Sequence, residues 1–362
     1  MADPGRPDRL KVAEPSAAGN GAPPSPAGDP APAPLELLDD KIVAPLLPER
    51  PARGHKGTFG RILVIAGSLD YAGAGLLVCR AAGRAGAGLV TLAVPESLQP
   101  LFAAKVVEAT TMALPEDDVE EVEPEDALAR ILDHEHDALV VGPGLRPGLA
   151  TAELIGRLLA VEDETPPPPA VVDAEALRSL AVRDEWWERV HRACVLTPHV
   201  GEFSRLRAAS GIAPDADGDL VADDDARERA TRDAATRWRQ VVVLKGARTV
   251  VAAPDGRAAR APFENPALAS GGTGDVLAGT IGALLGQGLD AYDAARVGVY
   301  LHGAAGEVLR DRFGDAGILA GDLPIEVTLA RKRLGASATG RARPPRLGFG
   351  AAGRGSPPTA GS

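Results

Sequence analysis

Cysteine is nearly absent from this chain of 362 residues: only Cys79 and Cys194 occur, each inside an apolar run. Two such thiols exclude a disulfide framework and do not make a metal cluster. They read as small buried hydrophobes of a reduced, cytoplasmic protein. Aromatic residues are also scarce, at 3%, whereas hydrophobic residues together reach 45%. Ala, Val and Leu must therefore build the core. Basic charge is outnumbered: 39 Lys and Arg face 50 Asp and Glu, for a formal net charge of -11. That balance argues against broad nucleic-acid or anionic-membrane binding, although a small basic pocket can still hold phosphates. No apolar run approaches the roughly 18 residues of a membrane span. The N-terminus has no apolar signal core, which argues against secretion.

What remains is an α/β pattern between two low-complexity tails. Residues 1–34 are rich in Pro, Ala and Gly, and residues 335–362 in Gly, Ala, Arg and Pro; both read as disordered. Between them, a single domain over 35–334 is expected. RILVIAG from Arg61 and LVTLAVP from Leu89 are short apolar runs, read as buried strands. VVEATTMAL, DALVVGPG, AVVDAEAL, ACVLTPH and VVVLKG repeat the theme. Helical or loop segments follow most of them, as the Ala-rich stretch Ala74 to Arg84 does. Unbroken apolar runs alternating with helices predict a largely parallel sheet covered on both faces. The stretch after Lys245 differs, and predicts antiparallel strands turning at Asp255–Gly256. The acidic PEDDVEEVEPED and the Pro-rich EDETPPPP read as surface loops.

Two familiar phosphate motifs are missing. No G-x-x-x-x-G-K-[ST] occurs, and GSLDYAGAG after the first long strand has the wrong spacing for G-x-G-x-x-G. The informative segment is SGGTGDVLAGTIGALLGQG, Ser270 to Gly288. Its glycines allow close backbone approach, and a helix opening near Gly274 offers unpaired N–H groups to an anion. Asp275 in the first turn has two readings: a carboxylate favoured by the helix dipole, or a base beside the anion site that accepts a hydroxyl proton during attack on phosphorus. LTPHVGEF places Thr197, His199 and Glu202 at a strand end, where α/β sheets set their ligand crevice. The same segment also suits an ordinary capping histidine. LKGART offers Lys245, Arg248 and Thr249, either as solvated hairpin charges or as contacts to phosphate. GPGLR, with Arg146, and VVDAEAL, with Asp173, are further strand-end loops.

HKGTFGRILVIAGS, YAGAGLL, GAGLVTLAVP, GPGL, VVDAEAL, LTPHVGEF, VLKGART and SGGTGDVLAG occur in this order. The set resembles the ADP/ATP-dependent NAD(P)H-hydrate dehydratases of the ribokinase-like superfamily, over about residues 36–330. The resemblance implies a three-layer α/β/α sandwich with a mostly parallel central sheet. It also implies removal of water from the S epimer of hydrated NADH or NADPH, coupled to cleavage of ADP (or ATP in eukaryotic members). By the same resemblance, Ala74, Gly144, His199 and Asp275 would contact the hydrate, with Asp275 as base. Lys245, Gly246, Ala247, Arg248, Thr249 and Gly274 would contact the nucleotide. Mg²⁺ is expected on the phosphates, its protein ligands unknown. The family also implies a homo-oligomer, commonly a tetramer. Many bacterial members carry this domain behind a hydrate epimerase domain; only a low-complexity tail precedes it here, so a separate epimerase is expected to act on the same substrate. Two positions depart from the family pattern: Glu264 stands where a glycine usually precedes Asn-Pro, and Arg146 ends the usual GPGLG. A small-molecule kinase of the same superfamily and a nucleotide sensor without turnover are the competing readings.

Overall fold

The computed structural model describes residues 33–213 and 218–338. The two tails expected to be disordered lie outside these residues, apart from 33–34 and 335–338. The continuous apolar runs become strands. Among the described residues these are β1 (Leu35–Leu37), β2 (Arg61–Ile65), β3 (Leu89–Pro95), β4 (Thr110–Leu114), β5 (Glu116–Asp118), β6 (Glu121–Val122), β7 (Ala138–Val141), β8 (Ala170–Val172), β9 (Cys194–Leu196), β10 (Val241–Leu244), β11 (Val250–Ala252) and β12 (Ala258–Arg260). One sheet has the order β1-β12-β11-β10-β9-β8-β7-β2-β3-β4. From β10 to β4 every pairing is parallel. The chain then reverses through antiparallel β11 and β12, whose turn carries Asp255 and Gly256 as expected.

The helices are α1 (Asp40–Val43), α2 (Ala72–Ala85), α3 (Gln99–Ala103), α4 (Pro124–Asp133), α5 (Leu149–Leu159), α6 (Glu175–Ala181), α7 (Val200–Ala209), α8 (Asp224–Trp238), α9 (Thr273–Gly286), α10 (Ala291–Phe313) and α11 (Leu323–Ala338). Side chains alternate across each strand, so a run such as RILVI feeds two cores at once. Ile62 and Val64 of β2 pack with Val140 of β7 beneath α2, α9, α10 and α11. Leu63 and Ile65 join Leu139 and Val141 beneath α4 to α8. The result is the three-layer sandwich, with a core on each face of the sheet. Helix α9 is rich in small residues because it lies directly on α2: a Cβ at Gly279 would stand 2.4 Å from the carbonyl oxygen of Val78.

Two expectations need correction, and one strand goes unannounced by the sequence. The acidic insert is not a plain loop: β5 and β6 pair as a hairpin and its last residues start α4. The hairpin docks because Glu120 Oε1 accepts from the backbone of Leu69 at 2.5 Å. The C-terminal helix continues past Gly335 to Ala338, with Ala330 and Leu334 buried against the core. The edge strand β1 had no periodic signal at three residues; it is held by parallel pairing to β12.

Candidate active site

The chain leaves β2 toward β3 and β4 on one side, and returns through β7, β8, β9 and β10 on the other. A crevice therefore opens outside the carboxyl ends, at the switch between β2 and β7. The sheet ladder continues one residue past the strands and sets the site in register. Gly142 N–H donates to Ile65 O at 3.1 Å, Asp173 N–H to Val141 O at 3.1 Å, Thr197 N–H to Val172 O at 3.1 Å, and Lys245 N–H to Pro198 O at 2.9 Å. Four loops thus present Gly142, Asp173, Thr197 and Lys245 along one edge. Gly142 is the pivot. Its φ is +119°, and a Cβ there would lie 1.9 Å from the carbonyl oxygen of Asp173.

Asp173 is buried, and its Oδ1 accepts from Lys245 Nζ at 2.7 Å. Glu202 Oε2 lies 4.0 Å from the same ammonium. Burial works against charge on Lys245, but Asp173, Glu202 and Asp275 together hold its pKa above the ordinary value. The start of α9 comes down onto this pair: a Cβ on Gly274 would be 3.5 Å from Lys245 Nζ and 4.0 Å from Asp173 Oδ2. Asp275, next in the chain, is half-buried. Burial first, and the Asp173 carboxylate second, push its pKa up to about 7, against the pull of Lys245. Among the described residues the N–H groups of Gly274 and Asp275 find no backbone acceptor, as is usual in the first turn of a helix.

His199 caps α7. Its Nδ1 accepts from Gly201 N–H at 3.0 Å and Glu202 N–H at 3.4 Å, while Glu202 Oε2 accepts from the His199 N–H at 3.0 Å. With Nδ1 accepting, the neutral ring carries its proton on Nε2, 3.5 Å from Glu202 Oε1. In that tautomer the Nε2 edge is a hydrogen-bond donor. Gly144 and Ala74 face one another across the crevice: at φ +65°, a Cβ on Gly144 would meet the Ala74 methyl at 2.6 Å.

Beside Gly274 opens a cavity of about 510 Å³. Lys245, Gly246, Ala247, Thr249 and Gly274 line it, together with apolar Phe263, Leu268, Leu277 and Val299. His302, also in its wall, is held neutral by burial, with a pKa pushed down to about 4, and its Nε2 donates to Thr273 O at 2.9 Å. The cavity offers a cationic, N–H-rich end and an apolar end, the polarity of a nucleotide. Arg248 stands apart from it: its guanidinium is engaged by Asp224 at 2.8 Å and by Glu264. Arg146 donates to Val119 O at 3.1 Å, bracing the acidic hairpin. Of the residues named from sequence, Asp275, Gly274, Lys245 and His199 are thus brought to one edge of the sheet. Asp173 and Glu202, noted only as strand-end acids, prove to be the partners of Lys245.

The sandwich has the ribokinase-like fold, and its crevice pairs a helix start with open N–H groups and an adjacent carboxylate of raised pKa. The NAD(P)H-hydrate dehydratase family profile matches residues 62–327, and the chain belongs to that family. It is similar to the bifunctional NAD(P)H-hydrate repair enzyme of Moorella thermoacetica, 44% identical over 279 residues, 76% of this chain and 50% of the relative. It is 35% identical over 287 residues to the ADP-dependent (S)-NAD(P)H-hydrate dehydratase of Neisseria meningitidis serogroup B, 78% of this chain and 88% of the relative. The crystal structure of the Bacillus subtilis ADP/ATP-dependent NAD(P)H-hydrate dehydratase, co-crystallised with ATP/Mg²⁺, superimposes with a TM-score of 0.68 at 32% identity, covering 83% of this chain and 99% of that one. The chain spans about half the length of the bifunctional relatives it matches.

Proposed function

We propose that this chain dehydrates the S epimer of NAD(P)H hydrate at the expense of ADP, giving NAD(P)H, AMP and phosphate. The observation that carries the proposal is the start of α9, where Gly274 faces the Lys245–Asp173 pair and Asp275 follows it with a pKa near neutrality. Hydroxide is a poor leaving group from the hydrated ring, and phosphate is a good one. The Asp275 carboxylate takes the proton of the ring hydroxyl, whose oxygen attacks the terminal phosphorus of ADP; the bond to AMP breaks. The ring nitrogen lone pair then expels phosphate, and loss of a proton from the neighbouring ring carbon restores the dihydropyridine. Lys245 and the free N–H groups at Gly274 and Asp275 hold the phosphoryl oxygens as charge moves onto AMP. Gly246, Ala247 and Thr249 line the rest of the nucleotide site. Ala74, Gly144 and the Nε2–H of His199 position the hydrate.

Mg²⁺ belongs to this reading as a counter-ion on the phosphates. Among the described residues no group of three His, Cys, Asp or Glu forms a metal cage, and Asp173 is already committed to Lys245. The reading extends to a cytoplasmic homo-oligomer working with a hydrate epimerase activity. Among the described residues no helix is long and apolar enough to cross a membrane.

The test is to incubate the purified protein with the S hydrate, Mg²⁺ and ADP, then with ATP, and follow the return of NADH absorbance. AMP and phosphate formed in step with NADH support the reading. A stable phosphorylated product without NADH would make the protein a kinase, and binding without turnover a sensor.

A further inference from the structure

The cavity beside Gly274 contains one carboxylate that nothing in the reaction uses. Glu264 stands in its wall, where the family resemblance places glycine. Two backbone bonds face it toward the KGART segment: Arg248 N–H donates to Phe263 O at 2.8 Å, and Ala261 N–H to Thr249 O at 2.9 Å. The Glu264 carboxylate engages Arg248 through Nε. Asp224 takes Nη1 of the same guanidinium at 2.8 Å and reaches Arg260 at 3.5 Å. Arg248 is thus the cation of the nucleotide segment whose side chain is already spent, and it does not line the cavity.

The Nε edge of a guanidinium is half of the fork that grips an oxyanion with two parallel hydrogen bonds. A carboxylate bound there blocks that grip. It also adds a negative charge to the cavity wall, which opposes ATP more than ADP because ATP carries one more charge. We propose that Glu264 is a specificity-determining residue of the nucleotide cavity: it holds Arg248 away from the bound nucleotide's phosphates, and so disfavours the more highly phosphorylated ligand. This rests on the nucleotide reading above.

The experiment is a double-mutant cycle read by calorimetric titration with ADP and with ATP, each with Mg²⁺ and without hydrate. The proteins are wild type, Glu264→Gly, Arg248→Ala and the double variant, with Glu264→Gln as the shape-preserving control. Glu264 is an exposed side chain, so melting temperatures are expected to stay close to wild type. Glu264→Gly is expected to tighten ADP by about threefold and ATP by up to about tenfold. Glu264→Gln should give part of that gain. The gain should vanish in the double variant and shrink as salt is raised. Unchanged dissociation constants for Glu264→Gly would overturn the proposal, as would an equal gain when Arg248 is absent, since the carboxylate would then act without the arginine. A wild-type protein that binds neither nucleotide would bring down the nucleotide reading itself, and this proposal with it.

Discussion

Replacing Asp275 with Asn separates chemistry from stability, and the two move in opposite directions. Asp275 has its pKa pushed up to about 7, by burial and then by Asp173, with Lys245 opposing. An unfolded aspartate titrates near the ordinary 3.8. The folded protein therefore holds this proton more tightly. The stability the group contributes is complete below about pH 3.8 and is lost as pH rises through about 7. Each tenfold change in proton affinity is worth about 1.4 kcal/mol, which sets a ceiling of about 4 kcal/mol on the loss in alkaline solution. The helix dipole works the other way, favouring the charged form by about 0.3–1 kcal/mol, so the burial effect wins. Asn cannot ionise and escapes the loss.

The expected result is that Asp275→Asn melts close to wild type near pH 4.5 and above it at pH 8, both without nucleotide. At about 2 °C per kcal/mol for a chain of this size, the gap at pH 8 should be several degrees. Turnover should fall by about 10²–10⁴ when the proton acceptor is removed. Wild-type kcat/KM should rise with pH and level off above about 7. A melting difference that is the same at both pH values would refute the burial argument. A loss of turnover below about tenfold with the fold intact would refute the base assignment; the Nδ1 of His199, already accepting two backbone N–H groups, is then a poor substitute.

Further expectations concern the Lys245–Asp173 pair beneath the start of α9 and the buried thiols. Lys245→Met leaves the buried Asp173 carboxylate unpaired and should cost about 3 kcal/mol in denaturant unfolding; by removing the one group that lowers the Asp275 pKa, it should also move the activity profile to higher pH. Gly274→Ala should fold normally, since its Cβ makes only ordinary contacts at 3.5 Å and 4.0 Å, whereas the branched side chain of Gly274→Val should crowd the phosphate and raise the ADP dissociation constant more than about tenfold. Gly142→Ala, forced against Asp173 O at 1.9 Å with φ +119°, should lose several degrees of melting temperature or fail to fold. Cys79 and Cys194, both buried with thiols pushed up to about 12, should resist a thiol reagent until the protein is unfolded.

What could be read from the sequence is what depends on neighbours along the chain. Buried strands such as Arg61–Ile65 announce themselves as unbroken apolar runs, and the helix start at Gly274–Asp275 by its glycines and acid. What could not be read depends on register between strands. Asp173 and Lys245 lie 72 residues apart, and the sequence marks each only singly, as a polar residue closing a Val-rich run, with nothing to pair them. They meet only because β8, β9 and β10 are adjacent, parallel and aligned, so that each first loop residue hangs from its neighbour's ladder. The hairpin was missed for a different reason: EDD and EV are too short and too acidic to show a strand preference, and they pair because Glu120 and Arg146 tie them to loops beside the crevice. The same distinction bears on Asp275. A carboxylate at a helix start is ordinary, and its sequence context alone leaves its pKa ordinary as well. Its affinity for a proton is set first by burial and then by Asp173, delivered by a different strand. The carboxylate is therefore encoded locally, but its proton affinity near neutral pH depends on burial and on a neighbour brought by the sheet.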